Sequence, residues 1–283
     1  NEEIHIERCI RSILPIFKNI YVVDSFSEDR TQQIAKELPV KILENSFLNH
    51  SSQFNWSLNH IDKKTDWVLR IDADEYLSES LVDEIAHKLP NLDKDIKGIF
   101  VPRKIIFQER LIKYGGFNNN KILRLFRFGY GKSDNRWMDE HIIINGETIT
   151  FSNPIIDHNL KPLSWWISKH NNYANKEVYE IIKNEVNQKE IKNGSRHYKS
   201  YFNRKRYYAF PVIIRTFLYF IYRYFFRLGF LDGIEGFTFH FLQGLWYRLL
   251  VDIKYLEVKR KIKNKNISFR KVIKNNLFID IND

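Results

Sequence analysis

Two carboxylates separated by one small residue, Asp72-Ala73-Asp74, follow directly on the apolar run Trp67-Val-Leu-Arg-Ile71. A short, partly β-branched run of this kind predicts a buried strand. On a regular strand residues i and i+2 share a face, so both acids would leave its C-terminal end on one side. Paired oxygen donors suit a hard divalent cation, and open α/β sheets bind ligands at the carboxyl ends of their strands. A D-x-D triplet alone is a weak motif, and the chain carries a second one, Asp93-Lys94-Asp95, with no strand before it. That one reads as a solvated loop. Context therefore assigns the chemistry to Asp72 and Asp74.

The elements that must position these acids follow from the surrounding pattern. Asn1 to Leu14 reads as a helix with acids in its first turn, ended by Pro15. Ile20 to Asp24 is a strand, Ser25 to Thr31 a polar turn, and a helix then runs to about Leu38. Val40 to Leu43 is a second strand. Ser51 or Ser52 caps a helix through Ile61, and Ser78 caps another that places Leu81, Ile85 and Leu89 on one face. Strands alternating with helices at this spacing predict a mostly parallel, doubly wound sheet. Past Gly98 short strands joined by turn-rich segments predict an antiparallel extension whose loops can line a site. A long helix follows from Ser164 to about Glu190.

Composition narrows the class. At 283 residues and 43% hydrophobic content the chain can bury a substantial core. Its one cysteine, Cys9, excludes an internal disulfide and fits a reducing compartment. The formal charge of +11 is unevenly placed. From Arg196 onward 18 Lys/Arg stand against 6 Asp/Glu, a net of +12, while the first 195 residues hold 27 against 28, a net of −1. A near-neutral domain with a basic attachment fits this split better than a nucleic-acid-binding surface spread over the chain.

Within the attachment, Phe210 to Leu228 is apolar and aromatic yet carries Arg215, Arg223 and Arg227. On a helix these arginines fall within roughly 120° of arc. A spanning helix needs ~20 residues with few charges, so the expectation is an amphipathic helix in the headgroup plane, its arginine stripe facing anionic lipid. A second apolar helix is expected over Phe237 to Tyr255, after a break at Gly229 to Gly233.

With these residues in view, the chain resembles family 2 glycosyltransferases of the GT-A fold, and most of all the lipopolysaccharide-core β-1,4-glucosyltransferase-like branch. The landmarks are Asn1-Glu-Glu, Val22-Val-Asp-Ser-Phe-Ser-Glu-Asp-Arg-Thr31, Gln53-Phe-Asn55, Ile71-Asp-Ala-Asp-Glu75, Arg124-Leu-Phe-Arg127, Asp139-Glu140 and Gly229-Phe-Leu-Asp-Gly233. The resemblance implies a Rossmann-like, doubly wound mixed sheet over residues 1–160, a helical extension and linker over 161–208, and membrane-associating helices with a basic tail over 209–283. It implies that Asp24 binds the base or ribose of a nucleotide, with Glu2 and Ser25 nearby, and that Gln53 and Asn55 help to position it. Asp72 and Asp74 would hold Mg²⁺ or Mn²⁺ on the diphosphate. His158 would face the metal or phosphates, or else be structural. Arg124 or Arg127, but not both, would neutralise the leaving diphosphate, since i and i+3 on a strand face opposite ways. Glu140 would be the catalytic base, with Asp139 and then His141 as alternatives.

Two departures stand out. Phe54 occupies a position that is usually basic in the family. The strand that leads into Asn-Glu-Glu is also absent, so the natural protein is expected to extend upstream.

The implied function is inverting, metal-dependent transfer of a hexose from a nucleotide diphosphate sugar, UDP-glucose or a relative. The acceptor is a saccharide of a bacterial surface glycolipid or polysaccharide, and the place is the cytoplasmic face of the inner membrane, without nucleic acid as partner. A silent membrane scaffold on the same fold, or a basic nucleic-acid binder, are the rival readings.

Overall fold

A computed structural model describes residues 1–117, 120–134, 141–187, 212–263 and 268–279. Two units divide the chain, Asn1–Lys161 and Pro162–Asp283. Asp139 and Glu140 lie outside the described residues, as do residues 188–211 of the expected linker and membrane segment.

In the first unit, Ile6, Ile10 and Ile13 lie on one face of helix α1 (Ile6–Ile13) and are all buried. Each such side chain contributes about 1.5–3 kcal/mol by leaving water. Strand β1 (Tyr21–Asp24), helix α2 (Thr31–Lys36) and strand β2 (Lys41–Glu44) form a right-sized β–α–β unit, its strands parallel with Tyr21 opposite Lys41. Helix α3 (His50–Leu58) is capped by Asn49, whose side chain accepts from the Ser52 amide, so the cap falls earlier than Ser51 or Ser52. Strands β3 (Trp67–Leu69) and β4 (Glu75–Leu77) precede helix α4 (Glu79–Lys88), where Ser78 caps as expected and Leu81 and Ile85 are buried.

Strand β5 (Ile96–Phe107) is the spine of the larger sheet. One half of it pairs with β7 (Lys121–Arg127) and β10 (Glu147–Thr150), the other with β6 (Arg110–Ile112) and β11 (Ile155–His158). The strand order is β3-β7-β5-β11-β4, with parallel and antiparallel neighbours mixed. Strands β8 (Gly131–Ser133) and β9 (Ile142–Ile144) make a separate hairpin. The doubly wound sheet expected as one body is thus a parallel pair, a seven-stranded mixed sheet and a hairpin. It remains a mixed α/β architecture.

In the second unit, helix α5 (Leu163–Asn187) packs along helix α8 (Tyr247–Lys263), burying Ala174, Val178 and Ile182 with Val251, Tyr255 and Val258. Helix α9 (Phe269–Leu277) covers both. Helix α6 (Val212–Ile221) continues as a π-helical turn to Phe226, and helix α7 (Gly233–His240) continues through a second π-helical turn, Phe241–Trp246, into α8. No helix among the described residues is long and apolar enough to cross a membrane. The expected arginine stripe is not on the outside. Arg215 is buried against Asp252 and Arg223 is buried against His240, leaving Arg227 exposed. Helical spacing put the three on one face, but the change to a π-helical turn after Ile221 separates Arg227 from the two buried ones.

Glu84 on α4 shows how the first unit is tied. Its buried carboxylate accepts from the Ser152 and Asn153 amides (2.9–3.1 Å), from the Asn153 side chain and from Lys88. Burial pushes this carboxyl up, but Lys88 and the amide donors outweigh it and hold it below its ordinary 4.5. A depressed folded-state value contributes stability that is present above the unfolded value and lost as pH falls through the folded one. Glu84→Ala is expected to lose about 1–3 kcal/mol at neutral pH, read from urea midpoints. It should also lose less stability than the parent between about pH 5 and pH 3, because the titrating group is gone.

Candidate active site

The sequence of strand β3 runs apolar to Ile71, but the ladder stops at Leu69. The Arg70 amide still bonds to the Arg124 carbonyl (2.9 Å). The Asp72 amide instead donates to the Glu75 carboxylate (3.1 Å), and the Glu75 amide donates back to the Asp72 carbonyl (2.9 Å). Asp72 and Asp74 therefore sit in a tight turn, not on a regular strand, and the two-residue alternation that placed them on one face does not apply. The turn links β3 and β4, which lie at opposite ends of the strand order.

The three strands between those ends each supply one charged side chain. Arg124 of β7 reaches Asp72 at 2.9 Å and Glu75 at 2.5 Å. Arg103 of β5 lies 3.6 Å from Glu75 and also pairs with Asp157 of β11. Asp157 and Glu75 stand directly opposite each other across the β11–β4 ladder, a like-charge pair that would be unfavourable without the arginine between them. With Arg70 lying 3.8 Å from Asp72, three guanidiniums face three carboxylates and the row is balanced in formal charge.

The electrostatics follow. Burial pushes Glu75, which is 1% exposed, up to about 7, Asp72 adding to the rise while Arg124 and Arg103 oppose it. Asp157 is likewise raised by burial against the pull of Arg103. Asp72 goes the other way. Desolvation pushes it up, but Arg124 and Arg70 hold it below the usual carboxylate range, and its side chain remains 47% exposed.

This donor set fits a hard cation in one specific manner. Mg²⁺ is commonly held by one or two carboxylates, with substrate phosphates and water completing the shell. Asp72 offers an ionised, half-exposed carboxylate, and Asp74 is two residues along the same turn. A fully protein-built cage is not there. Among the described residues no three His, Cys, Asp or Glu side chains converge to hold a metal. His158 in particular is spent elsewhere. Its Nδ1 accepts from Arg8 (3.1 Å), leaving Nε2–H to donate to Glu109 (3.2 Å). Its backbone serves the turn, the His158 amide donating to the Asp74 carbonyl and Asn159 Nδ2 to the Asp74 carboxylate (both 3.0 Å).

The residues expected at the nucleotide separate into two groups. Ser25 and Gln53 come together, Gln53 Nε2 donating to Ser25 Oγ (2.9 Å) while its Oε1 accepts from Asn45 (2.7 Å). Asp24, buried at the end of β1, gives its carboxylate to the Ser27 amide and hydroxyl and to Gln32. It orders the turn carrying Ser25. Within that turn Phe26 is exposed and held at φ 57°, a left-handed backbone that a bulky residue adopts at a cost of about 1–3 kcal/mol. Such strain gathers at ligand clamps, and nothing in the pattern of side-chain types announces it.

Glu2 bonds to His5 (2.6 Å) and Lys161 (2.8 Å), and its amide donates to Thr31. It joins the chain start to α2 and to the segment after β11. Asn55 does not face the nucleotide residues. Its amide group makes a reciprocal pair with the Ser133 backbone (2.9 and 3.0 Å), and Ser51 donates to the Asp134 carbonyl. Helix α3 thereby grips the β8–β9 hairpin at its root, where the Asp134 amide bonds to the His141 carbonyl (3.0 Å). Phe54 carries the Arg70 guanidinium over its ring (5.1 Å), so a positive charge is present beside this aromatic after all. Arg127 turns away from Arg124, onto the Ile96 carbonyl and the Trp67 ring.

Glu75, Arg103 and Asp157 received no role from the sequence. Their signal was a lone charge set inside apolar strands, as in Ile155-Ile-Asp-His158, which marks a buried pair rather than a surface residue.

Residues 1–151 match the family described as Glycosyl transferase family 2. An uncharacterized glycosyltransferase of Rickettsia typhi is 26% identical over 255 residues, covering 84% of this chain and 78% of that protein. One from Rickettsia bellii is 28% identical over 199 residues, 65% of each chain. Among solved structures, residues 1–349 of S. aureus TarS align at 12% identity and a TM-score of 0.39, over 95% of this chain and 90% of that one.

The charge row makes its own prediction. Arg124→Met strands a buried Glu75 and is expected to cost about 3–5 kcal/mol in urea unfolding. Adding Glu75→Leu removes the stranded partner and should recover most of that loss. A double variant no more stable than the single one would show that Glu75 is not held by Arg124.

Proposed function

The chain belongs to glycosyl transferase family 2, and on that premise we propose that it moves a hexose from a nucleotide diphosphate sugar, UDP-glucose or a relative, with inversion. The acceptor in this reading is a saccharide of a bacterial surface glycolipid or polysaccharide, met at the cytoplasmic face of the inner membrane. One observation carries it: the family match covers the Asp72–Glu75 turn, where Asp72 keeps a half-exposed carboxylate at the end of a strand.

The nucleotide lies along the Ser25–Gln53 contact, with Asp24 fixing the turn beneath it. Asp72 and Asp74 would hold Mg²⁺ or Mn²⁺, and the cation, when bound, would supply neutralisation of the charge that develops on the leaving diphosphate. Arg124 keeps Asp72 ionised at working pH and in place for that task. On the opposite face of the sugar the Glu140 carboxylate takes the proton of the acceptor hydroxyl as that oxygen bonds to the anomeric carbon. The bond from that carbon to the diphosphate breaks in the same step, its electron pair leaving with the phosphate oxygen. Asp139 stands next in line for the base, and His141 after it.

Donor binding is read by thermal shift across nucleotide sugars, with and without Mn²⁺, since a ligand of the native state raises its stability. Asp74→Asn should abolish the Mn²⁺-dependent shift and keep the fold. Asp95→Asn, in an exposed turn closed by Asp93, should change nothing. Equal shifts for the two variants would refute the metal assignment. A parent protein that binds no nucleotide sugar would favour a silent scaffold.

Glu140→Gln should lower kcat by about 10²–10⁴-fold while donor affinity stays within a few-fold, since a positioned base contributes on that scale. Normal turnover would move the role to Asp139.

A further inference from the structure

Helices α6 and α7, with the turns between and after them, have their polarity reversed. Among residues 214–241, all of them described, every exposed side chain except Arg227 is Ile, Leu, Phe or Tyr. Phe226 is 75% and Ile234 70% exposed. Most of the charged groups point inward, Glu235 being half-buried and Arg227 exposed. Arg215 pairs with Asp252, Arg223 donates to His240 (3.1 Å), and Asp232 is buried. A helix facing water does the opposite. Charges turned to the interior and paired there, with hydrocarbon side chains outside, are the arrangement of protein solvated by lipid.

The apolar surface is continuous across the two arms. Tyr224 of the first arm packs on Phe230 and Phe237, and Phe220 packs on Phe241. The tip is built to be tight. Leu228 takes a left-handed backbone, and a Cβ on Gly229 would meet the His240 ring at 2.6 Å. The first arm, Val212 to Phe226, is about 22 Å long, short of the ~30 Å hydrocarbon core.

We propose that the hairpin of residues 214–241 seats in a phospholipid bilayer as a wedge that enters one leaflet without crossing. The occupant is lipid rather than protein on two grounds. The exposed face offers almost no polar groups to a protein partner, whose interfaces carry about one hydrogen bond per 100–200 Å². The chain from Arg196 onward also has a net charge of +12 (18 basic, 6 acidic), complementary to anionic headgroups around an apolar insert. The arginines act inside the wedge and the aromatics make the contact.

The test uses the full chain and flotation with vesicles of phosphatidylcholine, with and without phosphatidylglycerol. The protein should bind both, more tightly with phosphatidylglycerol, and about 0.5 M salt, which screens surface charge, should bring binding to the anionic vesicles down to the level on phosphatidylcholine without abolishing it. Phe226→Glu with Ile234→Glu, at the two most exposed positions of the hairpin, should lower partitioning at least about tenfold, with circular dichroism unchanged. As a measurement that does not depend on that variant folding, an environment-sensitive dye on Phe226→Cys should brighten and shift blue on vesicles. Cys9 is buried, so the label is specific, and the same dye on Lys94→Cys should not respond.

Binding lost in salt, a dye at Phe226→Cys that stays in water, or undiminished partitioning of the double glutamate variant would overturn the proposal. So would a lipid-free dimer that the glutamates convert to monomer without any vesicle binding, which would make a second copy the occupant.

Discussion

A row of five charges, Asp72, Arg124, Glu75, Arg103 and Asp157, crosses the mixed sheet, and the geometry of the first unit depends on it. Strands β3 and β4 are three residues each and lie at the two ends of the strand order, so their ladders alone fix little. The arginines of β7 and β5 supply what is missing, binding the turn between them to the strands it passes. Buried ion pairs seldom add much net stability, because desolvation consumes most of the attraction. They do penalise alternatives. A one-residue slip of β7 would turn Arg124 to the other face and leave Glu75 buried without its 2.5 Å partner. The same row sets the local field, so the turn that fixes the register of the sheet also holds Asp72 ionised and half-exposed.

Much of this was readable from residue order because local chemistry and the final packing agree. Ser78 before an apolar-periodic run caps α4, and the isoleucines of α1 mark its buried face. The Asp72–Glu75 stretch stood out by its place after a strand. What failed to show was tertiary. An apolar run gives no notice that a carboxylate three residues on will capture the Asp72 amide and end the strand early. Asn55 has the same amide whether it meets a ligand or the Ser133 backbone, and only the arrival of β8 decides between them. Arg215 sits on α6 at the position its spacing predicts, yet spacing is blind to which side is inside. Asp252, 37 residues beyond Arg215, makes that choice.

The second unit is knitted by polar groups as much as by its apolar seam. Tyr247 and Tyr255 on α8 donate to Glu177 and Glu185 on α5, and Lys254 reaches Asn171 and Asn175. These pairs fix the rotation of α8 about its axis, because a hydrophobic contact alone tolerates sliding and a hydrogen bond does not. With α8 fixed, Asp252 is presented where Arg215 must meet it, and the outward face of α6 follows.

Helix α3 holds the β8–β9 hairpin by Ser51 and Asn55, and Asp134 and His141 close the hairpin on itself. The end of β8 is therefore fixed from outside, through α3, and does not rely on two three-residue strands alone. Gln53 and Asn55 leave the same stretch of α3 for different neighbours, the Ser25 turn and the Ser133 backbone. A change that shifts this helix is felt at both places together, so neither can drift without the other.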